Sequence, residues 1–192
     1  MTDLEIDIDL PESDELEITT LGPGKSKGES IVVHLQGDDW IIIDSCIAGD
    51  EILPLYYLRS LGVTFDHVKM LICTHWHTDH INGMPQILEM CPNAQLYMAS
   101  VGSFKGYLNV ALKLAGIDTL DSSVWKKLDA CLEVLAKGER PGPKHLNHDQ
   151  LLFRSDDNTI EFHVLGPSDE LIDRFNTSLL RINPESPRTI VR

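Results

Sequence analysis

Apolar positions in this chain come in short runs whose spacing shifts between strict alternation and helical periodicity. Leu16-Glu17-Ile18-Thr19-Thr20-Leu21 alternates like a strand and stops at Gly22-Pro23-Gly24. Ile31-Val32-Val33-His34-Leu35 and Trp40-Ile41-Ile42-Ile43-Asp44 flank Gly37-Asp38-Asp39. This predicts a hairpin whose second strand is buried on both faces. Residues 50–61 predict a helix starting near Asp50 and ending at Gly62, with Ile52, Leu55, Tyr56 and Leu58 on its buried side. A strand over Val68–Thr74, a helix over Pro85–Cys91 and a strand over Gln95–Ala99 follow. Helices interleaved with a largely buried sheet define a layered α/β fold.

Beyond residue 100 the pattern changes. Lysines interleave with Leu, Val and Ala over 103–137, which predicts two helices, 104–115 and 121–137, forming a helical insertion with Leu128, Cys131, Leu132 and Leu135 packed inward. Arg140-Pro141-Gly142-Pro143-Lys144 breaks the chain. Strands over 150–154 and 159–165 are predicted around an Asp156-Asp157-Asn158 turn, then a short helix over 170–175. The last residues contain Pro184 and Pro187 before a strand-like Thr189-Ile190-Val191.

The chain has 192 residues, 42% of them hydrophobic and 24% charged, as expected for a globular domain spanning 16–192. Its net charge is −14, and residues 1–17 hold eight acidic groups and no Lys or Arg; −14 + 8 leaves −6 for the rest. Residues 1–15 therefore form an acidic tail, solvated or available to a protein partner. An acidic surface opposes general duplex binding through basic patches, though bound metals supply local positive charge for a phosphodiester. No apolar run approaches the roughly 20 residues of a membrane helix, and the first residues lack a secretory pattern. Cys46, Cys73, Cys91 and Cys131 are widely spaced and are expected as reduced, buried thiols of a cytoplasmic protein.

The densest chemistry lies in Thr74-His75-Trp76-His77-Thr78-Asp79-His80-Ile81-Asn82-Gly83. Imidazoles and a carboxylate are ligands for zinc, manganese or iron. In extended chain, residues two apart point the same way, so His75, His77 and Asp79 converge, and His80 needs a turn, which Asn82-Gly83 supports. A glycine-containing loop at Gly22, Gly24 and Gly28 lacks the Lys-Ser/Thr ending of a phosphate loop and leads into a strand.

His-x-His-x-Asp-His after a hydrophobic strand resembles the signature of the metallo-β-lactamase-fold hydrolases. The resemblance implies an αββα sandwich, of which this chain looks like the N-terminal half plus the insertion. It implies that His75 and His77 help hold one metal, that Asp79 and His80 help hold a second, and that Asp44 orders the ligand loop from behind. Two Zn2+ ions are implied, with Mn2+ or Fe as alternatives, and a metal-activated hydroxide oriented by Asp79 as the catalytic carboxylate. Gly28-Glu29-Ser30 and Asn176-Thr177-Ser178-Leu179-Leu180 resemble the branch associated with DNA uptake in competence, which implies phosphodiester hydrolysis. Esters, thioesters or lactams are the alternative substrates, and a metal-free interaction module is an alternative of another class. A catalytic zinc usually has three protein ligands, so more ligands are needed: His145 and His148 are candidates, while His34, His67 and His163 are read as strand or loop residues. The branch's later ligands fall beyond Val191, so a further segment or a protein partner is expected to complete the site.

Overall fold

The structure, a computed structural model, describes residues 9–24, 28–75, 77–99 and 122–168, together with 170, 171 and 174. The chain divides into two compact units, residues 1–98 with 121–144, and residues 99–120 with 145–192. The expected helix at 104–115, the first eight residues of the acidic tail and the Asn176–Leu180 stretch lie outside the described residues.

The first unit is built on a sheet. β2 (Ser30–His34) pairs antiparallel with β1 (Glu17–Leu21) on one side and with β3 (Trp40–Ile43) on the other. Next to β3 a short hairpin forms from β4 (Ile47–Ala48) and β5 (Glu51–Ile52), followed by α1 (Leu53–Ser60). β6 (Val68–Cys73) then pairs parallel to β3, and β7 (Gln95–Ala99) parallel to β6. Ile41 and Ile42 of β3 and Leu71 of β6 are fully buried, which agrees with the unbroken apolar run of a central strand. Leu35 N donates to Asp39 O at 2.8 Å and closes the expected hairpin turn.

The helix expected from Asp50 begins three residues later. Ile52 pairs with Ile47 as a strand, and Pro54 occupies the first helical turn, where its missing N–H costs nothing. Its buried residues are Pro54, Leu55, Tyr57 and Leu58, so Tyr57 takes the place expected for Tyr56. Tyr57 reaches the edge strand: its Oη donates to Glu17 Oε1 at 2.6 Å and lies 3.0 Å from Thr19 Oγ1. β1 therefore turns Glu17 and Thr19 toward α1 and leaves Ile18 outward. Burial first, and then the Glu17 carboxylate, push the Tyr57 phenol up to about 12.

Between β6 and β7 lie α2 (Thr78–Ile81) and α3 (Met84–Met90). Met84, Ile87 and Leu88 form the buried stripe of α3, at the spacing of one helical face. α4 (Ser122–Lys137) packs against α3 and α2, with Leu128, Cys131 and Leu135 buried. This half of the expected insertion is thus a layer of the first unit. After it, Arg140 donates through Nη1 to Leu88 O at 2.7 Å and through Nη2 to Ala94 O, supplying a cation at the carbonyl end of α3. All four cysteines are free and buried. Burial pushes the thiols of Cys46, Cys91 and Cys131 up to about 11, 12 and 12, so they are inert at neutral pH.

The division between units falls at β8 (Lys144–Leu146). In the second unit β9 (Leu151–Arg154) and β10 (Glu161–His163) pair antiparallel, Phe153 opposite Phe162. The second strand is shorter than the expected 159–165 because Ser155 Oγ takes the N–H groups of Thr159 and Ile160, at 3.1 and 3.0 Å, into the turn. Among the described residues, no helix is long and apolar enough to cross a membrane.

Candidate metal centre

Two adjacent parallel strands end side by side, β3 at Ile43 and β6 at Cys73, and the residues just after them meet. Ligand sites of α/β sheets commonly form outside such carboxyl ends. Asp44 has φ 58°, a left-handed conformation that Asp tolerates better than most residues, and it turns its carboxylate toward the end of β6. Asp44 is 6% exposed and accepts three hydrogen bonds: from Thr74 N to Oδ1 at 2.8 Å, from Thr74 Oγ1 to Oδ2 at 2.5 Å, and from His80 Nδ1 to Oδ2 at 2.9 Å.

That network determines where the imidazole protons sit. Thr74 has one hydroxyl hydrogen, already given to Asp44, so its oxygen can only accept from His75 Nδ1 at 2.9 Å. His80 Nδ1 likewise donates to the carboxylate. His75 therefore carries its proton on Nδ1 and presents a bare Nε2, the state a metal ligand requires, while His80 is held through Nδ1 by the Asp44 carboxylate. Their ring centroids lie 3.9 Å apart, and the His75 and His77 centroids 4.9 Å apart. Asp79 Oδ2 lies 3.7 Å from His80 Nε2, with 43% of its side chain exposed. Desolvation, then the neighbouring His80 ring, hold the His75 imidazolium below its usual range; the Asp44 carboxylate pulls the other way.

The expected convergence of His75, His77 and Asp79 by strand alternation is not the arrangement found: among the described residues the ligand-type atoms that come together belong to Asp44, His75 and His80. Strand pairing ends at Cys73, His77 is still extended, and Thr78–Ile81 form a helical turn with His77 at its N-cap. His80 N and Ile81 N both bond His77 O, at 3.0 and 3.1 Å. Helix geometry, not strand alternation, thus sets Asp79 and His80. Thr74 and Ser45 are contributors that the sequence did not single out. Ser45 N donates to His80 O at 2.9 Å and its Oγ to Asn82 O at 2.6 Å, so Asp44 and Ser45 grip the motif by side chain and backbone together. A polar pair directly after a buried strand was the available signal.

Among the described residues, Asp44, His75 and His80 can bring three ligand atoms within 4.8 Å of one another. Asp44 is the member least free to bind, because its oxygens already accept three hydrogen bonds. His145 and His148 are exposed in the second unit, and His148 Nδ1 lies 3.1 Å from Asp149 Oδ2.

Residues 24–167 match the metallo-beta-lactamase superfamily model, and the chain belongs to that superfamily. Its fold is similar to a metallo-beta-lactamase family protein from Thermus thermophilus, at 16% identity over 78% of this chain and 50% of that one, with a TM-score of 0.46. It is also similar to a hydrolase described as belonging to the beta lactamase superfamily, at 20% identity over 66% of this chain and 47% of that one, with a TM-score of 0.43. The chain thus spans about half the length of these structures. Comparison with the curated proteins finds no match.

Proposed function

We propose that this chain carries the metal-gripping part of a metal-dependent phosphodiester hydrolase. The observation that carries the reading is the hydrogen-bonded run His75–Thr74–Asp44–His80, which holds both imidazoles by Nδ1 and leaves their Nε2 atoms free of that network. This donor set fits zinc, which takes neutral imidazoles and carboxylates. His75 and His77 are assigned to one ion, Asp79 and His80 to a second, with Mn2+ or Fe as alternative metals. When bound, the metals supply a water of lowered pKa and polarise the scissile group. Asp44 makes His75 and His80 better donors and fixes their rings, because a carboxylate hydrogen-bonded to Nδ1, directly or through Thr74, raises the basicity of Nε2. Asp79, more exposed than His80, is assigned the role of orienting the attacking water.

Phosphodiester substrates are favoured by the resemblance of Gly28-Glu29-Ser30 and Asn176–Leu180 to the DNA-uptake branch, and four buried free thiols support a reducing, cytoplasmic compartment. The test is metal content followed by substrate choice. After zinc or manganese loading, the wild-type chain is expected to retain metal and His77→Ala to lose most of it. Fewer than about 0.3 ions per chain, unchanged by the substitution, refutes the assignment. On the loaded protein a generic phosphodiester is expected to be cleaved faster than an aryl ester or a lactam.

A further inference from the structure

Gly28 lies directly against the ligand loop. An L-residue Cβ built at Gly28 would stand 1.9 Å from Asp79 O, 2.8 Å from Asp79 C and 3.2 Å from Asp79 Cα. Those are backbone atoms, so no rotamer change relieves the collision, and the Asp79 peptide itself would have to move. The same glycine has φ 90°, which disfavours any side chain. Two residues later, Ser30 Oγ donates to Asp44 O at 2.9 Å. The segment entering β2 therefore touches both halves of the site: Asp44 through Ser30, and Asp79 through Gly28.

The geometry points to Gly28 as a positioning residue that sets where the Asp79 peptide, and hence the Asp79 carboxylate and His80, sit in the ligand loop. A glycine here is explained by close approach of two backbones, not by a phosphate cradle. The inference deepens the metal reading above and rests on it for its consequence, but the placement of Asp79 is readable without metal.

Gly24 provides an internal control. It has φ 73°, so alanine there is strained in the same way, yet a Cβ meets nothing within 4 Å. Gly28→Ala and Gly24→Ala therefore share the conformational cost and differ in the collision with Asp79. In metal-free amide NMR spectra, Gly28→Ala is expected to shift the signals of residues 77–81, and Gly24→Ala to leave them in place. In chelator competition, Gly28→Ala is expected to weaken zinc binding about tenfold or more relative to Gly24→Ala, a loss typical of disturbed ligand orientation. Unmoved signals of residues 77–81 overturn the proposal whether or not metal binds. Loss of the near-UV signal of metal-free Gly28→Ala, with Gly24→Ala folded, also overturns it by making Gly28 a requirement of the whole fold. A wild-type chain that binds no zinc, while Gly28→Ala moves those signals, removes the metal reading and leaves the positioning role standing.

Discussion

Histidines stand at both ends of the central strands, and the two ends treat them differently. At one end His34 is 3% exposed, its ring 4.6 Å from Trp40, and its Nε2 lies 2.9 Å from Gly37 O. A carbonyl only accepts, so Nε2 carries the proton and Nδ1 is bare. That nitrogen has no partner among the described residues. At the other end it is Nε2 of His75 that is bare, and the rings of His75 and His80 are held by Nδ1, by the Thr74 hydroxyl and the Asp44 carboxylate respectively. A bare imidazole nitrogen is therefore not enough to make a site. The motif end adds neighbouring donors and a buried Asp44; the His34 end adds an indole and a tight turn. One gathers the donors that a cation needs, and the other packs.

The contrast breaks most sharply at Asp44. Asp44→Asn keeps the shape and tolerates φ 58°, but removes the charge and one acceptor from Thr74 and His80. Zinc affinity is expected to fall by about 10- to 100-fold, measured by chelator competition. An unchanged affinity would show that the carboxylate does not prepare the rings. His34→Ala should do the reverse, lowering stability by about 2–4 kcal/mol in urea unfolding, as for other large buried side chains, while zinc content stays at the wild-type value. Zinc lost in step with His34 would erase the distinction between the two ends.

Smaller effects test whether the site depends on its own loop or on general stiffness. Arg140→Ala frees Leu88 O and Ala94 O at the end of α3 and is expected to cost about 1–3 kcal/mol by thermal unfolding, without changing zinc affinity. Tyr57→Phe is expected to cost about 0.5–1.5 kcal/mol, that of one hydrogen bond. Its sharper readout is pH. The folded phenol titrates near 12, above the ordinary 10.0, so its contribution is complete below pH 10 and is lost as pH rises toward 12. The ultraviolet difference titration of wild type against Tyr57→Phe should step near pH 12; a step near pH 10 would show that the phenol is neither buried nor held by Glu17.

Local pattern was enough for the motif, the hairpin, the order of strands and helices through β7, and the inward stripe of α4. Each depends on neighbours in sequence: alternating side chains, turn residues at 37–39, and helical spacing of Leu128, Cys131 and Leu135. It missed where pairing partners compete. The strand character of Glu51–Ile52 comes from Ile47 across a hairpin, which no helical periodicity at 50–61 can show. Inward Glu17 and Thr19 depend on the phenol of Tyr57, 40 and 38 residues away.

By itself, then, the sequence determined that a dense set of imidazoles and carboxylate follows a buried strand, because ligand chemistry resides in residue type and spacing. Only the tertiary structure decided how that set is aimed. The proton positions on His75 and His80 come from Thr74 and Asp44, the latter 36 residues before His80, and the seat of the Asp79 peptide comes from Gly28. Hydrogen-bond partners and close backbone approaches are set by which strands end side by side, and that is a property of the packed sheet.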